Sequence, residues 1–220
     1  MSLDELNAEL LNCRRCPRLV EWREKVADQK RRAYLHWDYW GKPVPGFGDP
    51  HGRVFVVGLA PGAHGSNRTG RQFTGDASGD FLYSALYRAG FASQPVSVSR
   101  DDGLRLTDLY TAPICRCAPP DNRPLQEEMA NCEPYLKVEI ELIQPKVFVA
   151  LGRIAFEGIL RSYGLQKNAF TFSHNAVHAM ADGKMLVCSY HPSRQNTQTG
   201  RLTVEMFDQI WKTVRELLLS

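Results

Sequence analysis

The chain has 220 residues, 43% hydrophobic and 23% charged, the balance of an ordinary soluble globular protein and not of a disordered or membrane-embedded one. That length favours one domain over residues 1–220 rather than two small ones. A formal net charge of +3 permits a local basic surface for nucleic acid without requiring it.

No apolar run reaches bilayer length, and the start Met1-Ser2-Leu3-Asp4-Glu5 is acidic and polar. The expectation is a cytoplasmic chain without membrane contact. Ser2-x-x-Glu5 has the form of a capping box, and Leu3, Leu6, Leu10 and Leu11 follow at helical spacing, so a first helix is expected to end near Cys13. The stretch Arg14–Arg32 mixes arginines and lysines with Glu21, Glu24 and Asp28 and reads as a solvated helix face. Tyr34–Pro50, rich in aromatics, Gly and Pro, reads as a long surface loop.

Four short apolar runs follow: Arg53–Leu59, Leu106–Ile114, Lys146–Leu151 and Met185–Ser189. Helical patterns separate or follow them, over Gly79–Ala89, Pro124–Leu142 (with Pro at its first turn), Ile154–Leu160 and Leu202–Leu219. Runs that are apolar without alternation suit strands buried on both faces, so the expected fold is α/β: a three-layer α/β/α domain around a central four-stranded parallel sheet. Ligands of such sheets bind beyond the carboxyl ends of the strands. Three unusual segments fall there: Gly58–Asp76, Cys117–Arg123 and His191–Arg201.

The cysteines are the first chemical signal. Cys13-Arg-Arg-Cys16 is a CxxC at the end of a helix, a position that disfavours a thioredoxin-type redox pair. With Cys117 and Cys132 it offers four thiolates from two distant segments, enough for a tetrahedral zinc or a cubane iron–sulfur cluster. Spacing does not choose between these. Nor does it separate Cys115 from Cys117, which a strand would point the same way. Cys188, inside a strand run, reads as a buried structural thiol.

The second signal is the turn Gly58-Leu59-Ala60-Pro61-Gly62-Ala63-His64-Gly65, followed by the polar stretch Ser66–Arg71. Its glycines allow close backbone approach to a ligand, yet it matches neither the dinucleotide nor the phosphate-loop pattern. Phe73, in a polar Gly-rich loop, would stack on a base or anchor that loop in the core. Asp76, Ser78 and Asp80 are each plausible helix N-caps. His191, beside a loop that carries Arg194 and Arg201 and no acids, is a candidate for phosphate or sugar contact.

Taken in order, CxxC, GLAPGAHG, TGRQFTGDASG, CAPPDNRP and YHPSRQNTQTGR resemble the family 5 uracil-DNA glycosylases from about Leu11 to the C-terminus. The resemblance implies a uracil-DNA glycosylase-like α/β/α fold, a 4Fe-4S cluster and hydrolysis of the N-glycosidic bond of a flipped base in damaged double- or single-stranded DNA. By position it makes Cys13, Cys16, Cys117 and Cys132 the cluster ligands, Cys117 being preferred because it precedes Ala-Pro-Pro-x-Asn-Arg. Better-known relatives carry Asp at the position of Ala60, and family 4 enzymes carry Glu at that of Leu59. Here both are apolar, which leaves Asp76 as the acidic residue. Family 4 enzymes also have Asn where this chain has Pro113, so a range wider than uracil is expected, including hypoxanthine.

The implied roles are Asp76, Asn122 and His191 in catalysis. Gly62, Ala63, His64 and Phe73 would bind the base, and Ser193, Arg194 and Arg201 the DNA. No catalytic Lys is apparent, so a monofunctional glycosylase that initiates base-excision repair is expected; the chain is also expected to be a monomer. The alternatives are a uracil-only family 4-like enzyme, a redox iron–sulfur protein and a non-catalytic, metal-stabilised nucleic-acid-binding protein.

Overall fold

In a computed structural model, residues 1–180 and 182–219 are described. The core of the fold is the set of parallel strands β2 (Val54–Gly58), β3 (Leu109–Pro113), β4 (Val147–Leu151) and β6 (Met185–Ser189). Of their twenty residues only Met185 is less than fully buried. Strands covered on both faces need apolar side chains in both directions, which is why they read as unbroken hydrophobic runs.

The sheet has six strands, not the expected four, in the order β1-β3-β2-β4-β6-β5. Its edges are β1 (Phe47–Gly48), antiparallel to β3, and β5 (Val177–Ala179), antiparallel to β6. Both are too short and too exposed to carry a periodic apolar signal.

One layer of helices contains α5 (Gln126–Ile143) and α6 (Arg153–Ser162), packed with Phe55, Val57, Ala112, Phe148, Ala150, Leu186 and Cys188. The opposite layer contains α4 (Ala77–Arg88) and α8 (Val204–Leu219), packed on Val54, Val56, Leu109, Val147, Val149 and Val187. The alternation along each strand feeds one core on either side, so the three-layer expectation holds. Cys188 is fully buried in this core, as a structural thiol should be.

At the N-terminus, α1 (Leu3–Leu11) has the expected capping box and packs through Leu6 and Leu10 on Tyr135 of α5. The CxxC lies at the corner between α1 and α2 (Pro17–Gln29), with Cys16 at the N-cap position of α2 and Pro17 starting the helix. Arg18 of α2 is held by Glu128 of α5 at 2.8 and 2.7 Å. The same Glu128 accepts from the Leu125 amide. That bond starts α5 at Gln126, so Pro124 stands before the helix and not in its first turn. Beneath β3, buried Arg116 forms a two-bond ion pair with buried Glu139, which also accepts from Tyr110. Among the described residues, no helix is long and apolar enough to cross a membrane.

Three stretches expected to be loops carry more structure than that. Tyr34–Pro50 contains buried Val44 and the edge strand β1. Ser66–Thr69 form a one-turn helix, α3, whose four residues are all buried. Arg194–Gln198 form a short helix, α7, capped by the Ser193 hydroxyl. In Ser66–Thr69 polarity misleads because Arg68 and Thr69 donate to nearby backbone carbonyls inside the fold.

Candidate active site

The three segments past the carboxyl ends of the strands meet around a cavity of about 750 Å³. Gly62, Ala63, His64, Phe73, Asp76, Asn122, His191, Ser193 and Arg194 all line it. Only Arg201 of the expected set lies elsewhere, in a neighbouring cavity of about 420 Å³ that shares Leu59 and His191. There Arg201 stacks over Tyr190 at 4.8 Å, and Arg153 over Phe172 at 5.2 Å.

Asp76 is built in from the helix behind it. It is the N-cap of α4, and its Oδ1 accepts from the backbone amides of Ser78 and Gly79, each at 3.0 Å. The second oxygen makes no hydrogen bond among the described residues and faces the glycine turn. A Cβ placed on Gly65 would lie 2.0 Å from Oδ2, and one on Gly62 3.1 Å from it. The turn can approach the carboxylate only because Gly65 has no side chain. Burial raises the Asp76 pKa above the ordinary carboxylate value, and the two capping amides oppose that shift.

The remaining walls have equally local causes. Phe73 has a left-handed backbone (φ 53°), rare outside glycine. Its ring is nearly buried, against Gly58, and lies 6.1 Å from the His191 ring. It therefore anchors the loop and faces the cavity at once. Burial also pushes His191 down to about 4, so the imidazole is neutral at neutral pH. His64 is lowered as well, first by burial and then by Arg31 and Arg68, and its Nδ1 pairs with the Tyr39 hydroxyl at 3.1 Å. Asn122 is exposed at the rim with φ 54°, a conformation that Asn tolerates. Ser193 reaches the cavity while its hydroxyl accepts from the Asn196 amide at 3.3 Å.

Sequence reasoning missed Arg31, Tyr34 and Gln72 in the lining. Gln72 carried one available signal, its place between two motif glycines. Arg31 and Tyr34 belong to no motif.

A second site lies behind α2. Cys13, Cys16, Cys117 and Cys132 line one small enclosed cavity, whereas Cys115 is outside its lining and donates to the Cys117 carbonyl at 3.6 Å. Three of the four sulfurs accept N–H donors. Asn131 Nδ2 reaches Cys16 at 3.4 Å, buried Arg23 reaches Cys117 at 2.9 Å, and the Arg116 amide reaches Cys132 at 3.5 Å. Such donors suit thiolates, so the donor set fits a thiolate-held group. Among the described residues, no group of three or more His, Cys, Asp or Glu stands in a geometry for a single metal ion.

Comparison with known proteins agrees with this architecture. A family model described as the uracil DNA glycosylase superfamily matches residues 45–215. The type-5 uracil-DNA glycosylase of Thermus thermophilus is 54% identical over 209 residues, 94% of each chain. The chain belongs to the type-5 uracil-DNA glycosylases. The Mycobacterium leprae member is 50% identical over 220 residues, covering 98% of this chain and 96% of its own. The type-4 uracil-DNA glycosylase of Archaeoglobus fulgidus is 29% identical over 196 residues, 87% of this chain and 82% of its own. As a type-5 family member, the protein is a DNA glycosylase, a hydrolase.

Gly65→Ala must displace the Asp76 carboxylate. Glycosylase activity is expected to fall about 100-fold, the consequence of a misplacement of roughly 1 Å, with the circular dichroism spectrum unchanged. A wild-type rate would show that the Asp76 position does not matter. For His191, an unfolded imidazole takes up its proton near 6.5, before the folded one at about 4. Its contribution to stability is therefore complete above the unfolded value and declines as pH falls through that window. NMR titration should find the His191 ring still neutral at about pH 5, and an ordinary midpoint near 6.5 would contradict its burial.

Proposed function

We propose that the protein is a monofunctional DNA glycosylase that hydrolyses the N-glycosidic bond of uracil and other deaminated bases, hypoxanthine among them, and so initiates base-excision repair. It works as a single-domain, cytoplasmic monomer on damaged double- or single-stranded DNA. The observation that carries the reading is the divided Asp76 carboxylate, one oxygen tied to α4 and the other facing the glycine turn across the cavity. The relatives' names support uracil as a substrate. The apolar Leu59 and Ala60 in the wall, and a volume of about 750 Å³, support a wider range that includes purines.

Water attacks C1′ of the deoxyribose, the C1′–N bond breaks, and the base leaves with the bonding pair. Positive charge develops on the sugar and negative charge on the base. Asp76 Oδ2 stabilises the first and orients the water. The amides of Gly62, Ala63 and His64, with the Asn122 side chain, meet the second, while Phe73 stacks on the base. His191, neutral, donates a hydrogen bond without adding a cation. Ser193, Arg194 and Arg201 hold the backbone and keep the gap open. No lysine joins the sugar, so the abasic strand stays intact.

Cys13, Cys16, Cys117 and Cys132 would hold a 4Fe-4S cluster. When bound, it supplies a cross-link between the α1–α2 corner and the sheet.

Purified protein is incubated with duplexes carrying uracil, hypoxanthine or no lesion and then with alkali, and its iron and sulfide are measured. Alkali-dependent breaks at uracil and hypoxanthine, with iron and sulfide in equal amounts, are expected. No abasic site with any lesion would end the enzymatic reading. Breaks at uracil alone would favour the type-4-like alternative, and a colourless zinc protein would remove the cluster.

A further inference from the structure

Arg68 of α3 belongs to neither the base-binding turn nor the carboxylate loop, and its side chain touches both. It is 3% exposed and forms no salt bridge among the described residues. Removing a charge from water without a carboxylate partner is unfavourable for stability, so the surroundings must compensate. Two aromatic rings do part of this. The guanidinium carbon lies 4.0 Å from the Tyr34 ring centre and 4.1 Å from that of Trp37. Rings so close to one planar group occupy its two faces, and both attract a cation.

The edge of the guanidinium is committed as well. Nε donates to the His64 carbonyl at 2.7 Å, and Nη2 donates to the Gly75 carbonyl at 2.8 Å. The first acceptor closes the turn that presents the Gly62–His64 amides, and the second immediately precedes Asp76. The Arg68 carbonyl in turn accepts from the Trp40 amide at 3.0 Å, which ties the aromatic segment to the same helix.

We infer that Arg68 is a positioning residue: clamped between Tyr34 and Trp37, its guanidinium links the His64 and Gly75 carbonyls and sets the separation between the base-binding amides and Asp76. The inference rests on the role given above to Asp76. The positive charge of Arg68 also acts on that carboxylate, against the effect of burial. Lysine keeps the charge but cannot bridge two carbonyls with one planar fork.

The test uses Arg68→Lys, Arg68→Ala and Asp76→Ala in single-turnover cleavage of a uracil duplex, with DNA affinity, melting temperature and pH–rate profile measured for each. Arg68→Lys is expected to slow cleavage about 100-fold, as for a misplacement of roughly 1 Å, with affinity changed only a few-fold. Arg68→Ala should move the acid limb of the pH–rate profile to higher pH and regain part of its rate when guanidinium ion is added at non-denaturing concentration. Wild-type rates in both Arg68 variants would overturn the clamp. So would parallel losses of rate, affinity and melting temperature with an unmoved acid limb and no rescue. Should Arg68→Ala fail to fold, Arg68→Lys decides by its rate at retained affinity. Full activity in Asp76→Ala would remove the Asp76 role itself. An inactive Asp76→Ala beside fully active Arg68 variants would remove only the clamp.

Discussion

Two backbone amides at the start of α4 hold one oxygen of Asp76, and the arrangement of the site depends on those two bonds. A helix N-terminus carries unsatisfied N–H groups and partial positive charge, so a carboxylate there is both an acceptor and a favourable counter-charge. The helix itself is fixed to the sheet through buried Leu82, Tyr83 and Leu86. The carboxylate is therefore anchored to the core, the placement that its proposed role requires. With Oδ1 committed, only Oδ2 faces the glycine turn, and that turn closes over it because positions 62 and 65 lack side chains.

The loop that delivers Asp76 is held by polar groups, of which Arg71, Thr74 and Ser97 are buried and Asp102 half-buried. Arg71 donates to Thr74 at 2.9 Å, to Ser97 at 2.8 Å and to Asp102 at 2.7 Å. Asp102 is pulled down to about 2, because that guanidinium and backbone amides outweigh burial. A network in which each member is bonded rigidifies its surroundings, whereas a partly bonded one destabilises them. At the cysteine site Arg23 links Cys117 to the Cys13 carbonyl, and its own carbonyl accepts from Asn67 of α3. Helix α2 thus connects the four cysteines to the helix that carries Arg68.

The central four strands were legible because double burial writes itself as an unbroken apolar run, as in VFVVG and VFVAL. The edges were not: Phe47–Gly48 is too short for any period, and Val177–Ala179 is largely exposed. The motif loops do lie at the carboxyl edge that a parallel sheet predicts for ligands, and the sequence offers Asp76 both as a possible cap and as the reactive acid. The capping reading describes Oδ1, and Oδ2 is left free of it for the proposed reactive role. Arg68, Tyr34 and Trp37 stayed invisible because their contact spans some thirty residues of sequence, and because a polar segment reads as exposed. Cys115 and Cys117 lie in a bend past the end of β3, so a shared strand direction does not apply to them, and Cys117 lines the cysteine cavity whereas Cys115 does not.

The divided carboxylate can be tested by separating its two halves. Asparagine caps a helix as well as aspartate does, through a neutral oxygen. Asp76→Asn should therefore preserve the melting temperature and the α4 cap while removing the negative charge that the proposed mechanism sets against the sugar. The decisive measurement is single-turnover base release by this variant beside its thermal unfolding. A loss of about 100-fold or more in rate, the scale of removing a key electrostatic contact, at unchanged melting temperature is the expected result. Base release at the wild-type rate would contradict it.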